Sequence, residues 1–333
     1  MLKVITDQTA IKKYARQFIR SFKPFVDEQI KVKLGHQGAS FPAKVFWVKR
    51  LNIWFFSRAT KDARYWNAFG IGKPQAGAML PITCEINFPW SGIDRKTGGA
   101  FARDLSGNIF VIHRGKIGGG KKGIGKSLFE HNYRGNWTFA EDGDAVKQVA
   151  VIGMLNSPRF ALQIANFVKK IELLKSTAVF SAQMEIDFPE VTFREDRVGN
   201  LPASEDLVSD APCDRDLIIS NLAAVLQRRK FKTGNDDKHE LFLVDISKNK
   251  MSHIFAIPAD SREKNILAAT TKLLLQTAEA EGNPLPVLIL PEEKTGTYAP
   301  LLQKIGITVL SFRLEAEKII FPDPGKIRLD QNP

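Results

Sequence analysis

Cysteine is scarce, with only Cys84 and Cys213 among 333 residues. Two thiols so far apart in the chain build no disulfide framework, zinc cluster or CxxC redox pair, so buried thiols in a reducing compartment are expected. The histidines are also few. His36, His113, His131, His239 and His253 are scattered, and none has the HxxxH or HExxH spacing of a metal site. Long apolar runs are missing: stretches such as Val149 to Leu155 have strand length and fall far below the roughly 20 residues of a membrane helix. Met1 to Asp7 leads into a charged amphipathic stretch without the apolar core of a signal peptide. A cytoplasmic protein with no membrane partner is expected. No internal repeat or low-complexity tract is visible, which argues against a solenoid.

Acidic residues are short in the front part alone. Residues 1–150 hold 25 Lys/Arg against 11 Asp/Glu, residues 151–333 hold 23 against 25, and the whole chain carries +12. All five tryptophans (Trp47, Trp54, Trp66, Trp90, Trp137) lie in the basic part. Cations next to aromatics suit a polyanion, because phosphates reward positive charge through counterion release and bases stack on aromatic faces. DNA is the expected partner, with RNA also open. The competing reading is that the tryptophans are core and the charge serves solubility.

Hydrophobic residues at 44% and charged residues at 25% describe a globular chain long enough for two domains. Asp7 is placed to cap a helix with Ile11, Tyr14, Ala15, Phe18, Ile19 and Phe22 on its buried face. Lys12, Arg16, Arg20 and Lys23 line another face, which is either merely solvated or set against phosphate. Strands are expected within 44–56, 65–70, 82–88 and 149–154, a hairpin at 100–113, and a helix from Ser157 through Lys170. These make residues 1–175 a strand-rich α+β domain. An acidic linker is expected over 176–215, where prolines and glycines interrupt any apolar period. Residues 216–333 read as a helix from Asp216, strands 241–244 and 253–257, a helix over about 262–280, a strand 287–290, a short helix near 298–304 and a strand 308–312. This α-β-β-α-β-α-β order predicts an α/β domain with a mixed sheet flanked by helices.

The most conspicuous motif is the basic, glycine-rich stretch Arg114 to Ser127, with a literal GxxxxGKS from Gly120 to Ser127. That pattern belongs to phosphate loops, which leave a strand at once and open a long helix. Here the strand ends near His113, and Asn132 to Gly135 cuts the following segment short. ATP hydrolysis centred on Lys126, with Asp245 as the distant acidic residue, is therefore a secondary reading. The glycines instead expose backbone N–H groups amid positive charge, which suits a nucleic-acid backbone. Candidate phosphate contacts are Arg95, Lys96, Arg103, Arg114, Lys116, Lys121, Lys122, Lys126 and Arg134, with Trp66 and Trp90 as candidate stacking platforms. His113 is read as structural, and Ser106 and Ser127 have no identifiable triad partners.

In the second domain, Lys238-His239-Glu240-Leu241-Phe242-Leu243-Val244-Asp245, followed by Met251 to Pro258 and a long helix, resembles the core of the PD-(D/E)XK restriction-endonuclease-like superfamily over residues 214–312. The resemblance implies a restriction-endonuclease-like fold and places Glu240 at the first acidic position. At the second motif, Ala256, Ile257 and Pro258 stand where an acid, any residue and a lysine belong. Paired carboxylates hold the divalent ion that activates water, and neither alanine nor proline can serve. The expectation is therefore a DNA-binding protein with a nuclease-like domain that has lost catalysis, and no cofactor. The alternative is a magnesium-dependent endonuclease using Glu240 with Asp245 or Asp260. Gly98 to Asp104 and His113 to Gly120 are similar to segments of bacterial restriction or defence proteins, which implies such a role. The second domain is expected to be a platform either for a homodimer or for another partner.

Overall fold

The computed structural model describes residues 1–36, 39–117, 125–133, 135–180, 211–236, 238–245, 250–315 and 318–327. They form two compact units, residues 1–180 with 211–213 and residues 214–327. Most of the expected linker, including its centre, lies outside the described residues.

The first unit opens with β1 (Leu2–Val4) and α1 (Gln8–Arg20). Asp7 caps α1 by accepting the Ala10 N–H at 2.7 Å. Ile11, Ala15, Phe18 and Phe22 are buried, as the helical spacing predicts. An antiparallel meander follows: β2 (Glu28–His36), β3 (Ala39–Val48), β4 (Ile53–Ala59) and β5 (Arg64–Ile71). Short strands β6 (Met79–Leu80), β7 (Cys84–Glu85) and β8 (Phe88–Pro89) complete this sheet.

Strand alternation gives the sheet two apolar faces. On one, Ile30, Val32, Leu34, Val45, Trp47 and Trp54 build a core of their own. On the other, Phe46, Phe55 and Phe69 meet α1, with the Phe22 ring 4.9 Å from Phe55. Trp54 lies across from Gly70, where a Cβ would stand 2.4 Å from the indole, so only glycine fits beneath that ring.

A closed five-stranded barrel completes the β structure: β1, β9 (Gly99–Arg103), β10 (Ile109–His113), β11 (Asn136–Asp142) and β12 (Ala145–Met154). Ala100, Ala102 and Ala140 line a core shared with Leu2, Val4 and Phe110. Small side chains let so few strands close around filled space. The predicted hairpin is present as β9 and β10, with Ile109 opposite Arg103. Two further helices, α2 (Lys126–Asn132) and α3 (Phe160–Phe180), belong to this unit. Phe160, Ile164, Phe167 and Val168 of α3 join the core that includes α1.

The second unit is a six-stranded mixed sheet ordered β13 (Lys232–Gly234), β14 (Leu241–Asp245), β15 (Lys250–Ala256), β16 (Leu285–Pro291), β17 (Thr308–Glu315) and β18 (Lys318–Ile320). The first three strands are antiparallel, β15, β16 and β17 run parallel, and β18 returns antiparallel. Helix α4 (Ala211–Arg228) covers one face through Ile218, Ile219, Leu222 and Leu226. The opposite face carries α5 (Glu263–Glu279) and α6 (Glu292–Lys304) through Ile266, Leu273 and Leu302.

The observed order thus adds β13 and β18 to the expected elements, each only three residues long. Helix α4 begins at Ala211, before the expected Asp216. Pro212 sits in its first turn, where a missing N–H removes no helical hydrogen bond. Helix α6 begins at Glu292, because Glu292 and Glu293 suit the positive end of the helix dipole.

Candidate nucleic-acid interface and the Glu240 site

Strands β2 and β3 hold three exposed lysines on one face. Lys31 stands directly opposite Lys44, and Lys33, opposite Pro42, lies two residues along on the same side. Lys44 shares this face with Phe46, two residues on, which stacks on Phe55 at 5.0 Å. Phe55 in turn receives Phe22, just beyond the end of α1. The lysine cluster therefore lies on the face that carries α1, whose exposed side bears Lys12, Lys13, Arg16 and Arg20, with Lys23 following.

Among the described residues, none of these cations except Lys13, which lies over Tyr14, has an ion-pair or ring partner. The nearby carboxylates in sequence are engaged: Asp27 accepts the Lys49 N–H, and Glu28 pairs with Lys73. Like charges directly opposed across strands destabilise a sheet, so an anionic partner would relieve the arrangement.

The residues singled out from sequence separate into distinct groups. Arg95, Lys96, Arg103 and Lys116 are exposed. Lys126 is exposed at the start of α2 and pairs with Glu130 at 3.3 Å. Lys121, Lys122 and Arg134 lie outside the described residues, as do Gly118 to Ile124 of the glycine-rich stretch. The flanks of that stretch are β10, ending at His113, and the seven-residue α2.

Arg114 requires correction as a phosphate contact. Its side chain is only 9% exposed, and its guanidinium grips Asp142 through two hydrogen bonds at 2.7 and 2.8 Å while donating to the Thr97 and Gly99 carbonyls. The Arg114 hydrogen bonds hold the Asp142 carboxyl below its ordinary range. This clamp ties the 97–99 segment to β11 and commits four of the five guanidinium N–H donors inward.

Trp66 is likewise corrected, being buried against Phe41, Phe56 and Arg58. Trp47 and Trp54 are core as well. Trp90 is half-buried, and its indole N–H has no hydrogen-bond partner among the described residues. It is the better placed of the two stacking candidates. His113 is fully buried between Phe129 and Phe167 and accepts the Gly115 N–H, which is a structural environment.

In the second unit, Glu240 immediately precedes β14, and Leu241 pairs with Phe255, so the next pair along sets Glu240 beside Ala256. Arg215, from the first turns of α4, reaches Glu240 and forms a buried ion pair, and its Nε donates to the Ile257 carbonyl at 3.3 Å. The guanidinium thus neutralises the Glu240 carboxylate that a divalent ion would otherwise draw on.

Asp245 ends the same strand. Four residues lie between it and Glu240, so five steps at the usual rise set them roughly 16 Å apart along the strand, too far for the two carboxylates to share an ion. The expected Glu240–Asp245 metal pair is corrected on that ground. Asp260 follows β15 at the Glu240 end of the sheet, but its carboxylate holds the Arg262 backbone and side chain and the Asn265 amide. Burial pushes the Asp260 carboxyl up, and these hydrogen bonds outweigh it and hold it below its usual value. Among the described residues, no three His, Cys, Asp or Glu side chains gather as a metal site.

No family model matches the chain, and neither a curated protein nor a solved structure matches it. The site is therefore read from its own residues. Lys31, Lys33 and Lys44 were missed as a cluster in sequence, although the alternation Ile30-Lys31-Val32-Lys33-Leu34 is the signature of a half-buried strand with lysines on its other face. Arg215 carried no local signal, since its partner lies 25 residues away.

Proposed function

We propose that the protein binds DNA through the cationic face of its first unit, and that its second unit is a PD-(D/E)XK-like domain that does not cut. The observation that carries the binding function is the opposed pair Lys31 and Lys44, extended by Lys33 and the basic side of α1, with no carboxylate paired to these lysines among the described residues. A polyphosphate chain supplies the missing charge and releases counterions on contact. Arg95, Lys96, Arg103 and Lys116 are further exposed cations for the same partner.

The nuclease-like reading of the second unit rests on element order. A helix precedes three antiparallel strands, then a crossover helix leads to a strand parallel to the third, with Glu240 opening the middle strand. The residues present do not fit magnesium. Glu240 is taken by Arg215, and Ala256 and Pro258 offer no ligand or charge where the second motif belongs. In a restriction or defence system, the role suggested by the resemblance, such a protein would recognise DNA without cleaving it.

Purified protein incubated with supercoiled and linear DNA, with and without magnesium or manganese, tests the reading. Salt-sensitive binding without strand breaks is expected. Metal-dependent cutting lost in Glu240→Ala would overturn the non-cutting assignment and favour an endonuclease using Glu240 with Asp260.

A further inference from the structure

Helix α5 has two apolar sides. Ile266, Ala269, Thr270 and Leu273 face the sheet, whereas Leu267, Leu274 and Leu275 are 55%, 39% and 61% exposed. The outward positions Lys264, Leu267, Thr271, Leu274 and Ala278 follow the alternating three- and four-residue steps of a coiled-coil seam, flanked by Ala268 and Leu275. On α6 and at the residue that ends it, over the same sheet face, Leu301 and Ile305 are 57% and 53% exposed. Five large apolar residues over one sheet face are thus left open to solvent.

We propose that the occupant is a second copy of this chain, with α5 packed antiparallel on α5 about a two-fold axis through Thr271. The stripe is nearly palindromic about that residue. Leu267 on one copy meets Leu274 and Leu275 of the other, and Ala268 and Ala278 allow close approach, so one patch is its own complement, as an isologous interface requires. Thr271 suits the axis because its hydroxyl donates to the Leu267 carbonyl at 3.0 Å, which leaves its methyl for the seam.

Charge selects the orientation. Antiparallel pairing brings Lys264 to Glu279 of the second copy at both ends, whereas parallel pairing sets lysine against lysine. Glu279 also meets Lys238 of its own chain at 3.3 Å, an exposed contact that leaves carboxylate capacity for a second cation.

Sedimentation of the full chain at about 10 µM should give a dimer. Leu267→Glu with Leu275→Glu should raise the dissociation constant about thirtyfold or more, the scale of losing interface hot spots. Circular dichroism should show both exposed substitutions leaving the fold intact. In a Cys213→Ser background, Thr271→Cys should form an interchain disulfide under mild oxidation, and Lys272→Cys should not. A wild-type chain that stays monomeric overturns the proposal. So does a dimer that survives the double substitution, or one in which Thr271→Cys fails to cross-link. None of these outcomes depends on DNA binding.

Discussion

Lys31 and Lys44 face each other across adjacent antiparallel strands, on the side of the sheet to which α1 is attached. Folding alone gains nothing from opposing two ammonium groups, and like charges at such positions oppose pairing. Lys44→Glu is therefore expected to raise the stability of the first unit by about 0.5–1 kcal/mol while weakening DNA binding. Chemical denaturation and a binding titration on the same variant check the pair of signs. A loss of stability would contradict the reading of Lys31 and Lys44 as mutually repelling.

The Arg215–Glu240 pair makes the opposite kind of prediction. Breaking a buried ion pair from one side leaves an uncompensated charge, so Arg215→Ala or Glu240→Ala should each cost the second unit about 3–5 kcal/mol. Arg215→Met combined with Glu240→Leu should recover most of that loss, because no charge is left buried. Urea unfolding of the three variants measures it. A Glu240→Ala protein as stable as wild type would show that Glu240 is not held by Arg215.

Acid should destabilise both units through buried histidines. Burial pushes His113 down to about 4, with the Arg114 charge adding to the shift and the Glu85 backbone opposing it. Burial likewise pushes His253 down to about 4. Because the folded value lies below the unfolded one near 6.5, the unfolded chain binds more protons between them. Each histidine's contribution is thus complete above about pH 6.5 and lost as the pH falls towards 4, on the order of 3 kcal/mol for the fully buried His113. NMR titration of the imidazole protons checks this directly, and a His113 signal that titrates near pH 6.5 would contradict it.

Gly70→Ala should destabilise the first unit by roughly 1–3 kcal/mol, since the new methyl collides with the rigid Trp54 indole. Thermal unfolding gives the number. The paired change Gly70→Ala with Trp54→Leu should cost less than the sum of its parts, because the two residues share one contact.

Legibility in the sequence followed the range of each interaction. The α1 face, the hairpin of β9 and β10 and the apolar strands β14 and β16 could be read because their periods lie within a few residues of one another. Strands β13 and β18 were too short to carry a period, and Pro212 looked like a breaker until the start of α4 placed it in a first turn. Arg114 showed the limit of reading charge from composition. Its partner Asp142 is 28 residues away, so a conspicuous cation beside a glycine-rich stretch proved to be an internal clamp. Trp66 failed for the same reason, its cage of Phe41, Phe56 and Arg58 being assembled from two other strands, β3 and β4. The lysine cluster was visible as an alternation along β2, but its doubling by Lys44 depends on strand register, which only the fold supplies.

The slope of log binding constant against log salt concentration, measured for wild type and for Lys31→Ala, Lys33→Ala, Lys44→Ala combined, tests the DNA-binding account most directly. Each phosphate contact contributes about 0.9 to that slope on duplex DNA, so the triple variant should bind more weakly with a slope shallower by roughly 2 to 3. An unchanged affinity and an unchanged slope would contradict the account.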